Sequence, residues 1–272
     1  MKKLFISGLI IFIIFFASGA MTWFTIDKNK YDNRHYTKTI NSKIEHLSIS
    51  TVTTNVNVIS GKKLAVYFTG DNKINVTKNN KRLSIKEKRA VDRGYGLNFN
   101  PFHSNNRKLT IVVPEKDLKS LNIQSLLGEI DLNQVNLKHV SLETDRIIQL
   151  KRSELNQVNI ESSKANFYIT DCLIREGRMK LVKNSKLSDT VFGVNRGDIS
   201  MTDMKSNNDI KASTQRGNIN YHFGEKPKNT LLKLHPGHGN KEIKNRYFDK
   251  GKVGNSDNIL EFYTVDGDIK IE

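Results

Sequence analysis

His235 and His238 stand three residues apart in the segment His235-Pro236-Gly237-His238-Gly239-Asn240. Two imidazoles at that spacing can share a metal ion with a third donor, here His222 or Asp249. Glycine on both sides of His238 leaves the ring poorly preorganised, so the segment reads as a surface loop, and no metal or cofactor is expected. Acidic residues also recur: Glu129, Asp198 and Asp268 each follow a glycine. Glycoside chemistry needs two carboxylates opposed across a cleft, whereas an acid regularly placed after glycine suits hydrogen bonding at a turn. The sequence has neither a Gly-x-Ser-x-Gly elbow nor a phosphate-cradling glycine loop ahead of a helix. A non-enzymatic protein is expected; the alternative is a lyase or hydrolase acting on an envelope polysaccharide. Cys172 is the only cysteine, so no internal disulfide can form, and it reads as a small buried hydrophobe.

The formal net charge is +16, and +14 without Lys2 and Lys3. Such a field suits anionic lipid headgroups or phosphate-bearing wall polymers. Lysines on outward strand faces also solvate them and discourage edge-to-edge pairing. The densest groups are Arg146, Lys151 and Arg152, then Arg175, Arg178, Lys180, Lys183 and Lys186, and these are the expected binding surface. They form no nucleic-acid motif and no aromatic residues interleave with them, so nucleic acid is not the expected partner.

The elements that must position these residues are read from a repeated phrase: Gly128-Glu129-Ile130, Gly197-Asp198-Ile199, Gly217-Asn218-Ile219 and Gly267-Asp268-Ile269. The four glycines are expected to make turns that need positive φ. Around them apolar residues alternate with polar ones in pairs: Leu121 and Ile123, Ile130 and Leu132, Val140 and Leu142, Ile148 and Leu150, Val158 and Ile160, Phe167 and Ile169. Ile199 and Met201, Ile210 and Ala212, Ile219 and Tyr221, Leu260 and Phe262, and Ile269 and Ile271 continue the series. Steps of about nine to ten residues predict an all-β, single-stranded β-solenoid with coils of roughly 18 to 21 residues, about twelve coils in all. An antiparallel β-sandwich is the alternative. Asp145-Arg146-Ile147 and Lys164-Ala165-Asn166 replace the glycine phrase in two coils. Residues 27–43 read as a juxtamembrane linker and 44–272 as the repeat domain, with an insertion loop at about 224–257.

Ahead of the repeats, Leu4 to Phe24 carries no charged residue. As a helix it is long enough for the roughly 30 Å hydrocarbon core of a bilayer. Residues 1–26 are therefore expected to be a membrane anchor held by residues 4–24. Lys2 and Lys3 keep the amino terminus inside and place the rest outside the cytoplasm. The alternative is secretion after cleavage at Ser18-Gly19-Ala20. Trp23 and the apolar Met21-Thr22-Trp23-Phe24 extension favour an uncleaved anchor that also offers a surface to a membrane-protein partner.

The stretch LTIVVPEKDLKSLNIQSLLGEIDL, Leu109 to Leu132, resembles the DUF4097 family, β-strand repeat proteins with a proposed adhesin role that include the LiaG-like proteins of Firmicutes. Val113-Pro114, Leu121-Asn122-Ile123, Gly128-Glu129-Ile130 and the closing Gly267-Asp268-Ile269-Lys270-Ile271 carry the resemblance. It implies a β-solenoid-like domain over roughly residues 40 to 272, an envelope-stress setting, and no catalytic residues.

Overall fold

The computed structural model describes residues 2–22, 25, 34–88, 107–114, 118–181 and 196–272, without the side chains of 176 and 178–181. Helix α1 (Lys2–Thr22) precedes β1 (Arg34–Ile40), β2 (His46–Thr51), β3 (Asn55–Gly61), β4 (Leu64–Gly70), β5 (Lys73–Asn79), β6 (Arg82–Lys88) and β7 (Lys108–Pro114). Next come β8 (Ser120–Ser125), β9 (Ile130–Asn133), β10 (Asn136–Glu143), β11 (Ile147–Lys151), β12 (Glu154–Ser162), β13 (Asn166–Thr170), β14 (Leu173–Leu181) and β15 (Ile199–Met204). The chain closes with β16 (Ile210–Arg216), β17 (Ile219–Phe223), β18 (Thr230–Pro236), β19 (Lys241–Ile243), β20 (Lys252–Val253), β21 (Asn258–Asp266) and β22 (Ile269–Ile271). No residue of α1 is buried, and the helix is long and apolar enough to cross a membrane.

Every residue of the eleven apolar pairs read from the sequence is buried. The strands form two sheets, each contributing one apolar face to a shared core, as a period of two requires. Even-numbered β8 to β16 lie in one sheet and odd-numbered β9 to β17 in the other, so the chain alternates between them. Each strand pairs in parallel with the next of its own sheet, as Leu121 with Val140 and Ile130 with Ile148. Antiparallel pairs are confined to β1–β4–β7, β5–β6 and β18–β20, at the sheet ends, which excludes the sandwich.

The fold is β-solenoid-like, with three departures from the uniform coil expected. Partners lie at the expected 18 to 21 residues from β8 to β14 and again from β15 to β17, but Phe167 pairs with Ile199, Ile210 with Leu260 and Leu47 with Leu121. Nine two-strand rungs are described rather than twelve. Stack order also differs from chain order at both ends. The rung β6/β7 lies outside β2/β3, and β21/β22 is inserted between β16/β17 and β18/β19.

Two segments expected to be irregular contain strands. β1 lies within 27–43 and pairs with β4; only Ile40 of its residues is buried, so the edge strand lacks a clear apolar pattern. Segment 224–257 contains β18, β19 and β20: Thr230 and Leu232 enter the core, lysines face outward, and Gly237 and Gly239 lie against the backbone of the neighbouring rung. The ambiguous stretch between Gly177 and Asp198 falls largely outside the described residues.

Candidate functional site

The two corners of each rung are built differently. At the return corner, left-handed residues turn the chain: Gln134, Arg152, Asp171 and Asp203 have φ between 48° and 57°. The glycine phrases lie at the opposite corner, where β8 passes to β9 and β16 to β17. There glycine is needed chiefly for close stacking. A Cβ on Gly217 would lie 2.1 Å from the carbonyl oxygen of Gly197, one on Gly267 2.0 Å from that of Gly217, and one on Gly128 2.1 Å from that of Thr54. Gly217 and Gly267 have positive φ, whereas Gly128 does not, which corrects the turn expectation for that residue. Thr144, Thr214 and Thr264 hydroxyls donate to the carbonyls of Gly128, Gly197 and Gly217 at 2.6, 3.1 and 3.0 Å.

The residue after each glycine forms a ladder between rungs. Asn166 Oδ1 accepts the N–H of Asp198 at 3.0 Å, Asp198 Oδ1 that of Asn218 at 2.7 Å, and Asn218 Oδ1 that of Asp268 at 2.9 Å. Asp268 Oδ1 in turn accepts from Asn240 at 2.8 Å, and Asn55 Oδ1 from Glu129 at 2.9 Å. Asp198 and Asp268 are thus rungs of a hydrogen-bond ladder with backbone N–H groups as their donors, whereas Glu129 joins it only through its own N–H.

Two positions before the ladder residue stands a row of charges: Asp145, Lys164, Arg196, Arg216, Asp266 and His238 on successive rungs. The three cations are neighbours at the roughly 4.8 Å spacing of stacked strands. With Arg146 they line a groove of about 550 Å³. Arg216 reaches Asp266 at 3.4 Å and Arg146 reaches Glu129 at 3.6 Å, while Lys164 and Arg196 make no ion pair among the described residues. The carboxylates within the groove are engaged: Asp145 Oδ1 accepts from Ser163 N and Oγ at 3.0 and 2.7 Å, and Asp198 holds Asn218. At the row's end His238 Nδ1 lies 2.8 Å from Asp266, and this contact, then Arg216, holds the Asp266 carboxyl below its usual range.

Of the eight basic residues picked from sequence, Arg146 alone lines the groove among those whose side chains are described. Lys151 ends β11 and bonds Gln149 at 2.6 Å; Arg152 occupies the opposite corner and reaches Asn133 at 3.1 Å; Arg175 is exposed on β14. Arg178 and Lys180 lie in the β14 backbone ladder with their side chains outside the described residues, as are Lys183 and Lys186 altogether. Lys164, Arg196 and Arg216 were missed, although their common offset from the phrase is a signal the repeat itself provides. The histidines diverge: His235 stacks on Tyr263 at 4.5 Å and His222 lies 3.5 Å from Asp203. Among the described residues no group of three or more His, Cys, Asp or Glu could hold a metal.

Parallel strands stacked in two sheets, with polar ladders at their corners, define an all-β repeat protein. The chain belongs to the Toastrack DUF4097 family, whose model matches residues 44–272. A proposed adhesin from Bacteroides fragilis is similar in structure at 14% identity, covering 88% of this chain and 97% of that one with a TM-score of 0.46. A proposed cell adhesion protein from Clostridium sporogenes shares 12% identity over 88% of this chain and 99% of that one, with a TM-score of 0.38. No curated protein matches the chain.

Proposed function

We propose that this chain is a membrane-anchored, extracytoplasmic scaffold of a Gram-positive envelope, a β-solenoid that binds anionic envelope polymers or lipids without catalysing a reaction. The observation that carries this reading is the row Lys164, Arg196 and Arg216 beside Arg146, in a groove whose own carboxylates are engaged. A row of cations at a fixed rise suits a polyanion lying along the stack, and arginine suits phosphate oxygens in particular. The helix α1 supports the anchor. The polysaccharide-enzyme reading has less support, because Asp198 and Asp268 serve as ladder rungs.

The test is sedimentation of the full chain in detergent micelles with a phosphate-bearing wall polymer across a salt series. Binding is expected to weaken steeply with salt and to fall at least about tenfold in Lys164→Glu/Arg196→Glu. Equal binding by the variant, or no binding at low salt, would overturn the assignment.

A further inference from the structure

Lys and Arg are spread along the whole chain, but Asp and Glu are not. Residues 34–119 hold 17 basic and 6 acidic residues, a net +11, whereas residues 120–272 hold 23 and 20, a net +3. Solvation of outward strand faces would not thin the acids from one end of the stack. Moreover, the three acidic residues described at that end are all engaged internally. Glu45 bonds Lys81 and Lys119 at 2.7 and 2.8 Å, and Asp71 bonds Arg107 at 2.5 Å. Glu87 accepts the backbone N–H groups of Val52 and Thr53 at 2.5 and 3.1 Å and is bonded by Asn72. Among the described residues, the charge on the surface there is left to lysine and arginine.

This basic end is also the end joined to α1. Strand β1 is the outermost strand of its sheet, and only residues 23–33 separate Thr22 from Arg34. A fully extended chain of that length spans about 40 Å at most, so this end stays within that distance of the bilayer surface. Here a cavity of about 360 Å³ opens between the end of β1, the β3–β4 connection and the end of β7. Its floor is apolar, with Ile44, Leu64, Val113 and Leu118 buried, and exposed Lys62 and Lys63 stand on its rim.

We propose that the anchor-side end of the stack docks on the anionic leaflet from which α1 emerges, with a phospholipid headgroup held by Lys62 and Lys63 over that apolar floor. Charge complementarity and the short tether select the membrane over a polymer further out. The inference rests on the anchored reading above and deepens its lipid half. Each lysine near an anionic surface contributes about 1 kcal/mol, so the pair is worth roughly thirtyfold in docking.

The full chain carrying Asn41→Cys, an exposed residue lining the cavity, is reconstituted in nanodiscs and alkylated with a water-soluble maleimide. Alkylation is expected to be on the order of tenfold slower in phosphatidylglycerol than in phosphatidylcholine discs, and the difference to vanish at about 0.5 M salt. Adding Lys62→Glu/Lys63→Glu is expected to restore fast labelling in anionic discs while leaving polymer binding at the corner groove unchanged. Equal labelling in the two lipids, or slow labelling that survives both salt and charge reversal, would overturn the docking face. Loss of α1 from the mature chain, read by intact mass, would instead sink the anchored reading beneath it.

Discussion

Asp198 and Asn218, twenty residues apart in sequence, are joined by a 2.7 Å hydrogen bond from the Asn218 backbone N–H to the Asp198 carboxylate. The ladder continues with amide and carboxylate alternating through Asn166, Asp198, Asn218, Asp268 and Asn240. Carboxylates therefore stand two rungs apart, about 9.6 Å, where their repulsion in water is small. Asp198→Asn keeps the acceptor and is expected to leave stability nearly unchanged, whereas Asp198→Ala should cost about 1 kcal/mol by urea unfolding.

Asn218→Asp tests the alternation itself. It keeps an oxygen on the rung but places carboxylates on three successive levels, each about 4.8 Å from the next. The expected cost at neutral pH is about 1–2 kcal/mol. Crowding raises the new carboxyl's pKa in the folded state, so the penalty should be full above its folded pKa and fade as pH falls below the ordinary carboxylate range. A pH-independent penalty in urea titrations would show that repulsion is not its source.

Gly217→Ala and Gly267→Ala place a methyl group about 2 Å from a backbone carbonyl of the neighbouring rung, at φ of +151° and +158°. Backbone cannot yield as a side-chain tip does, so each is expected to cost more than about 2 kcal/mol. Gly19→Ala, which meets nothing within 4 Å, serves as the control and should leave the thermal midpoint unchanged.

At the anchor-side end, hydrogen bonds from Lys119 and then Lys81 lower the Glu45 pKa from 4.5 to about 2. A depressed folded pKa means the stabilisation is present above pH 4.5 and lost as pH falls toward 2. Glu87 adds in the same direction: burial alone would raise its pKa, but bonds from Val52, Asn72 and Thr53 more than offset it. Thermal scans from pH 7 to pH 2 should show wild type losing stability below about pH 4.5, with a shallower loss in Glu45→Gln.

Burial pushes the Cys172 thiol up to about 11, and its Sγ donates to the Thr170 carbonyl at 3.3 Å. With little thiolate at neutral pH and no exposed surface, it should resist maleimide in the folded chain and react once urea unfolds it.

The core was legible in the sequence because each apolar pair reports its own strand face, and all twenty-two residues are buried as read. The order of rungs was not, because β2 pairs with β8 74 residues away and β21 with β16 50 residues away, and no local pattern encodes such a pairing. Edge strands such as β1 bury too little to show alternation. The basic site was misplaced for a related reason. Arg146 and Arg152 are close in sequence, but the five residues of β11 carry the chain across the sheet, leaving them at opposite corners. Residues that share a corner are a coil apart, as Arg196 and Arg216 are.

The inserted position of β21/β22 has a consequence for the order of synthesis. Strand β18 pairs with β21 and the short β20, and β19 pairs with β22. Their places on the growing stack are therefore undefined until β21 and β22 have left the ribosome. A chain ending at Asp266 should fold through β17 yet leave Lys241–Ile243 accessible to protease, since the strand it needs is missing. The β21/β22 rung thus works as a keystone, slid in beneath a tip that was made before it.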